Sequence, residues 1–172
     1  MATPAYITIT SETRGVLTLN AFTQESVGSI YQEGHTDQAM VQAFSHMITI
    51  PRDPQSGQPT GQRVHSPLCI TKIFDKSSPL LQQALTSGEQ LSKVEIVWYR
   101  TSSEGKQEPY YTTLLEKAII VEIKDYMYNC QDSATSQFTH LEDVHFSYRK
   151  ITWTHEKAST SGSDDWGSPI SA

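Results

Sequence analysis

Most of this chain alternates apolar and polar residues as strands do, but one segment carries the signals for both ends of a helix: Ile73-Phe-Asp-Lys-Ser-Ser-Pro-Leu-Leu-Gln-Gln-Ala-Leu-Thr-Ser-Gly-Glu89. Ser77 or Ser78 can cap the amide end, Pro79 suits the first helical position, and Gly88 supplies a left-handed residue after the last turn. These signals predict a helix over about residues 78–87, roughly 15 Å long at 1.5 Å per residue. Leu80, Leu81, Ala84 and Leu85 form one apolar stripe along it, and that stripe has to dock on a sheet. A lone helix on a β scaffold is a narrow specification.

Strand signals fill the rest. Tyr6–Thr10 alternates, and Gly15–Leu19 and Met40–Ile50 are rich in strand formers, with irregular ground from Thr23 to Asp37. Pro67–Phe74 leads into the helix, and Leu91–Arg100 leads out of it to a Ser102–Lys106 turn. Tyr110–Leu115 and Ala118–Tyr128 read as two further strands, the second with Ile119, Val121 and Ile123 on one face and Glu122 and Lys124 on the other. After a polar connection, Leu141–His155 is a last strand whose phase changes: Val144, Phe146 and Tyr148 share one face, Ile151 and Trp153 the opposite one. About 14 residues exceeds the usual five or six, so a bulge or sharp bend is expected near Arg149 and Lys150. The fold class predicted is mainly β, an antiparallel two-sheet barrel or sandwich with one short helix at its side.

At 172 residues the chain fits a single core. We place that domain at residues 1–155 and read residues 156–172, rich in Ser and Gly, as a flexible tail. The tail is too short for an independent core, so no toxin domain is expected there. A formal charge of −6 without a basic block argues against nucleic acid. No run of 18 apolar residues and no basic-then-apolar leader is present, which predicts a chain made in the cytoplasm, not inserted in a membrane and carrying no secretory signal. Cys69 and Cys130 lack a pairing pattern and are expected to be buried, reduced thiols.

Several clusters invite a chemical reading. His140-Leu-Glu-Asp-Val-His145 has metal-ligand types, but on a strand His140 and Glu142 face away from Asp143 and His145, so no metal site is expected. Gly57-Gln-Pro-Thr-Gly61 lacks the Lys-Ser/Thr of a phosphate loop, and no Gly-x-Ser-x-Gly elbow occurs. Neither a catalytic constellation nor a cofactor is expected. Trp98, Tyr99, Tyr110 and Tyr111 flank one turn and suit a sugar-stacking platform, which makes a sugar-binding module the alternative function; cross-strand packing is the plainer account. Residues Pro51–Ser66, with three prolines and two glycines, make an overlong loop, and loops of that length tend to be functional. Arg52, Asp53, Gln55, Gln58 and Arg63 are its candidate contact residues.

The chain resembles the Hcp family, the haemolysin-coregulated proteins of the bacterial type VI secretion system. The residues that carry the likeness are Phe22-Thr through Ser26-Val-Gly, Ile30-Tyr-Gln-Glu-Gly-His35, Ile50 through His65, Phe74-Asp-Lys-Ser-Ser-Pro-Leu-Leu81, Val94-Glu-Ile through Trp98-Tyr-Arg100, and Asp143-Val-His-Phe through Tyr148-Arg-Lys-Ile-Thr-Trp-Thr-His-Glu156. Asp75-Lys-Ser-Ser-Pro79 is the most widely recurring piece, and the Pro-Arg-Asp-Pro loop is similar to the enterobacterial subgroup. The resemblance implies a barrel-like subunit of a homo-hexameric ring with a central channel. Rings would stack into an inner tube, a contractile sheath would surround the tube and a VgrG-type spike would sit at its tip. Small effectors would ride in the lumen, with the subunit as carrier and chaperone. The resemblance further implies no enzymatic activity and secretion through the machine itself. The Pro51–Ser66 loop is the candidate ring-stacking element.

Overall fold

The computed structural model describes residues 3–168. Among the described residues there are eleven strands, in chain order β1 (Ala5–Ser11), β2 (Gly15–Val16), β3 (Ala39–Ser45), β4 (Ile48–Thr49), β5 (Val64–His65), β6 (Leu68–Ile73), β7 (Leu91–Thr101), β8 (Gln107–Tyr126), β9 (Leu141–Ser147), β10 (Lys150–His155) and β11 (Thr160–Asp165). Helix α1 (Gln24–Val27) runs into a 3-10 turn at Gly28–Ile30, and α2 spans Ser78–Ser87. The order β8-β7-β1-β3-β6-β9 returns to β8 through a β8–β9 pairing, so six antiparallel strands close a barrel. Closure leaves these strands no open edge along the shared ladders.

The interior follows from the pleat. Ala5, Ile7 and Ile9 of β1, Leu68 and Ile70 of β6, Val94 and Ile96 of β7, and Val144 and Phe146 of β9 are all buried at alternate positions. Helix α2 packs on β8, with Leu81 and Ala84 fully buried and Leu80 and Leu85 partly buried against the same core. A fully buried Leu contributes about 1.5–3 kcal/mol, so the stripe is the helix's main attachment. Gly88 ends α2 at φ 68° and ψ 28°, as expected.

The start of α2 differs from the expected cap. Ser77 makes no side-chain cap bond to the helix. Instead the Asp75 carboxylate accepts from the Ser77 N–H at 2.9 Å and from the Ser77 hydroxyl. Asp75 in turn receives the Lys72 ammonium at 3.0 Å, and Lys72 also meets Glu142, its directly opposite residue on β9. The Ser78 hydroxyl donates to Glu142 Oε1 at 2.8 Å. Lys72 and Glu142 are essentially inaccessible to solvent. The recurring Asp-Lys-Ser-Ser-Pro segment is therefore the lid of a buried ion cluster that ties β6, β9 and α2 together.

Three strand expectations are corrected. Tyr110–Leu115 and Ala118–Tyr128 form one strand, β8, because Lys117 turns the backbone at φ 50° without interrupting the ladder on either side. On β8, Ile120 is buried and Ile123 partly so, while Ile119 and Val121 are exposed; a bulge at Val121 resets the alternation. Met40–Ile50 divides at His46 and Met47 into β3 and β4, and the ground from Thr23 to Asp37 contains α1. The Leu141–His155 strand bends as expected. It divides into β9 and β10 with unbroken register against β8, from Ser147 opposite Ile119 to Lys150 opposite Glu116. The bend lets both Phe146 and Ile151 point inward.

The largest correction concerns the tail. Residues 160–165 are strand β11, paired with β10 from Lys150–Asp165 to His155–Thr160. The physical reason is the open edge of β10, which pairs with all of β11 and which local composition does not reveal. Positions 169–172 of the predicted tail lie outside the described residues.

Candidate functional site

The overlong loop is a projecting hairpin. β4 pairs with β5 through Ile48–His65 and Thr49–Val64, and beyond that ladder an isolated bridge joins Arg52 and Pro59. Asp53 N–H donates to the Gln58 carbonyl at 2.9 Å, and Thr60 N–H donates to the Pro51 carbonyl at 2.8 Å. The Asp53 carboxylate accepts from Gln55 N–H at 2.9 Å and from the Ser56 hydroxyl at 3.0 Å, which holds its pKa below the ordinary value. Gly57, at φ 74°, closes the turn where a side chain would be strained.

Of the five candidate residues, Arg52, Asp53, Gln55 and Gln58 gather at this outer hairpin, with Asp53 committed to shaping it. Arg63 is engaged elsewhere. Its Nε and Nη2 donate to the two carboxylate oxygens of Asp164 on β11 at 2.8 and 3.0 Å, and Nη2 also donates to the Asp165 carbonyl at 3.0 Å.

Around that pair lies a network that the sequence reading missed. His65 Nε2 is 2.6 Å from Asp164 Oδ2, and His65 Nδ1 is 2.6 Å from the Tyr148 hydroxyl oxygen. That oxygen is in turn 2.8 Å from His46 Nε2. A carboxylate only accepts, so His65 donates from Nε2 to Asp164; with neutral imidazoles, Tyr148 donates to His65 and accepts from His46. Burial, then the nearby Asp164 charge, pushes the Tyr148 hydroxyl pKa well up. Burial, then His65, lowers that of His46. Hydrogen bonding from Arg63 leads the causes that hold Asp164 below the usual carboxylate range. The Trp166 ring lies 4.8 Å from the His65 ring. The one cue in the sequence was Asp164-Asp165-Trp166, a charged and aromatic knot within a Ser- and Gly-rich stretch.

The other clusters disperse. Glu142 faces inward to Lys72, whereas Asp143 accepts from the Thr71 hydroxyl at 2.7 Å and His145 Nε2 lies 3.6 Å from Cys69 Sγ. Among the described residues, no group of three or more His, Cys, Asp or Glu is placed to hold a metal ion. Cys69 is half-buried on the outward phase of β6, and burial raises its thiol pKa; Cys130 is exposed. Neither is the buried core thiol expected, because Cys69 alternates with inward Leu68 and Ile70 and Cys130 sits in a polar connection.

The four aromatic residues do not make one platform either. Trp98 stands edge-on to Phe44 at 4.7 Å and donates to the Thr113 hydroxyl at 3.3 Å, while Tyr99 meets Tyr6 and His35. Tyr110 lies under the Arg100 guanidinium, 5.0 Å from its ring centre, and Tyr111 is the cross-strand neighbour of Trp98. They pack within and across the sheet.

A closed six-stranded antiparallel barrel, braced by one helix and bearing a projecting hairpin, defines the class. Residues 6–155 match the family described as type VI secretion system effector, Hcp, and the chain belongs to that Hcp family. It is 71% identical over 170 residues to the major exported protein of Pseudomonas aeruginosa, covering 99% of each chain. The solved structure of the secreted protein Hcp3 from Pseudomonas aeruginosa superposes with a TM-score of 0.82 at 62% identity, over 97% of this chain and 100% of that one. A crystal structure of an Hcp protein does so with a TM-score of 0.91 at 49% identity, over 96% of this chain and 100% of that one. The fold expectation, mainly β with a helix at the side, is borne out.

Proposed function

We propose that this chain is an inner-tube subunit of the type VI secretion system. Six copies close a ring around a channel, rings stack into a tube, and a contractile sheath and a VgrG-type spike are its partners. Effectors travel in the lumen. The subunit is made in the cytoplasm and leaves through the machine itself. Residues 1–155 form the ring-building domain, and its work is assembly, carriage and chaperoning, with no reaction catalysed.

The observation that supports this reading most is the likeness over nearly the full length to a protein named for its export, on a chain of the Hcp family. Within it the projecting hairpin has a role, since Arg52, Gln55 and Gln58 stand clear of the barrel and can reach an adjoining ring. Deleting Gln55–Gln62 removes that reach without touching the barrel core. Negative-stain imaging is expected to show intact rings in the deletion variant and no tubes, under conditions where the parent protein forms both. Unaltered tubes would remove the hairpin from the stacking contact, and an absence of rings from the parent protein would overturn the tube reading itself.

A further inference from the structure

We propose that strand β11 is a latch that sets the pose of the projecting hairpin, with Asp164 as the positioning residue. The hairpin's own ladder is two residue pairs long. A two-stranded ribbon is marginal in water, and this one has too few pairs to fix the direction of the chain beyond it. Its root is instead held from outside the ribbon. Asp164 takes two hydrogen bonds from Arg63 and one from His65, residues at the foot of the returning strand. His65 is held on its other side by Tyr148, which also holds His46 at the foot of the outgoing strand. Both feet of the hairpin are thus bound into one chain of contacts that starts on β11.

The bonds suit this work. The Arg63 and Asp164 side chains are 21% and 19% exposed and that of His65 is 1% exposed, so the contacts are largely withdrawn from water. The Arg63 fork is bidentate and fixes orientation as well as distance. β11 is kept in place on its own account, by the full β10 ladder and by Trp166 N–H donating to the Arg149 carbonyl at 3.0 Å. The anchor therefore belongs to the barrel, and the part it steadies is the hairpin.

The effect on stacking rests on the tube reading; the latch does not. Hydrogen–deuterium exchange on full-length protein separates them. Loss of three bonds to the ionised carboxylate in Asp164→Ala, two from Arg63 and one from His65, is expected to speed exchange at the Thr60 and Ser66 amides about tenfold. Those of Leu81 and Gly88 in the distant α2 cap should be unchanged. Arg63→Ala should act in the same direction, and adding it to Asp164→Ala should change little, because the Arg63–Asp164 fork is already gone in that variant. Asp164→Asn, which keeps the shape and one acceptor, should fall between and serves where the Ala variant folds poorly. Unchanged exchange in the hairpin, equal acceleration in α2, or additive effects would each overturn the latch. Rings of Asp164→Ala should form, with tubes shortened or missing. A loosened hairpin with normal tubes would leave the latch standing and count against the hairpin as the stacking element.

Discussion

Single residues make the pose of this barrel depend on a few charge contacts, and Glu89 is the most exacting of them. Its carboxylate accepts from Arg14 Nε at 2.9 Å, from the Thr13 hydroxyl at 2.7 Å and from Ser11, tying the β1–β2 turn to the end of α2. Arg14 also donates to Gln83 at 2.9 Å and to the Leu80 carbonyl at 3.2 Å. Hydrogen bonds from Arg14, then from Ser11, lower the Glu89 pKa to about 2. A carboxyl with a lower pKa folded than unfolded adds stability that is complete above the unfolded value, about 4.3, and is lost as pH falls toward the folded one. Glu89→Gln is accordingly expected to lower Tm by about 3 °C at pH 7, and the gap from the parent protein should close between about pH 4.5 and pH 2. Thermal scans across that range check it, and a gap constant with pH would mean the ionised form does not matter. Other residue contacts were legible in principle. Lys72 shares the inward phase of Leu68 and Ile70, and Glu142 that of Val144 and Phe146, so two opposite charges on buried phases already imply a pair. Losing one partner of such a pair costs about 3–5 kcal/mol, since the other is left buried and uncompensated. Asp164 had no such signal: its partners are 99 and 101 residues away in sequence.

Among elements, periodicity and caps located most of what the fold uses. α2 appeared with its boundaries, stripe and Gly88 end, because each of those signals is local. What periodicity could not say is whether a polar interruption ends a strand. Glu116-Lys117 reads as a break, yet Glu116 pairs with both Lys93 and Lys150, and Ala118 pairs with Leu91. The chain bends inside a continuous ladder, and the cost falls on Lys117, a residue with a side chain held at φ 50°. An L-residue there loses about 1 kcal/mol relative to Gly, part of which Gly returns as backbone entropy. Lys117→Gly should therefore raise Tm by about 2 °C, and Lys117→Val, β-branched and unsuited to positive φ, should lower it. Calorimetry on the pair decides; equal Tm values would show that the bend places no strain on that residue. β11 failed as a sequence reading for the opposite reason: Thr-Ser-Gly-Ser-Asp-Asp has weak strand propensity, and it is a strand because β10 offers an edge that pairs with it from end to end and the Trp166 N–H bonds back to the Arg149 carbonyl.

For the whole molecule, the family likeness carried what local reading could not, since closure of β8 on β9 and the outward throw of one hairpin are long-range facts. The surface of the lone subunit also asks to be covered. Met47 is 59% exposed and Ile50 57%, with Ile48 and Val64 exposed on the same short ribbon at the hairpin's base. Apolar residues exposed singly are ordinary, but four gathered on one ribbon mark a surface that another molecule buries. In the tube reading that molecule is another copy of this chain, and the ribbon's position beside the projecting hairpin places it at the contact between rings. Burying even part of a Met and an Ile contributes on the order of 1.5 kcal/mol. Met47→Ser with Ile50→Ser is thus expected to weaken ring-to-ring association at least about tenfold. The subunit's own Tm should stay within about 1 °C, because neither side chain supports the barrel core. Sedimentation velocity over a range of protein concentrations, read beside a thermal scan, makes the comparison. Rings that stack as readily as the parent would show the ribbon lies outside the contact, and a large fall in Tm would show that it supports the subunit's own fold.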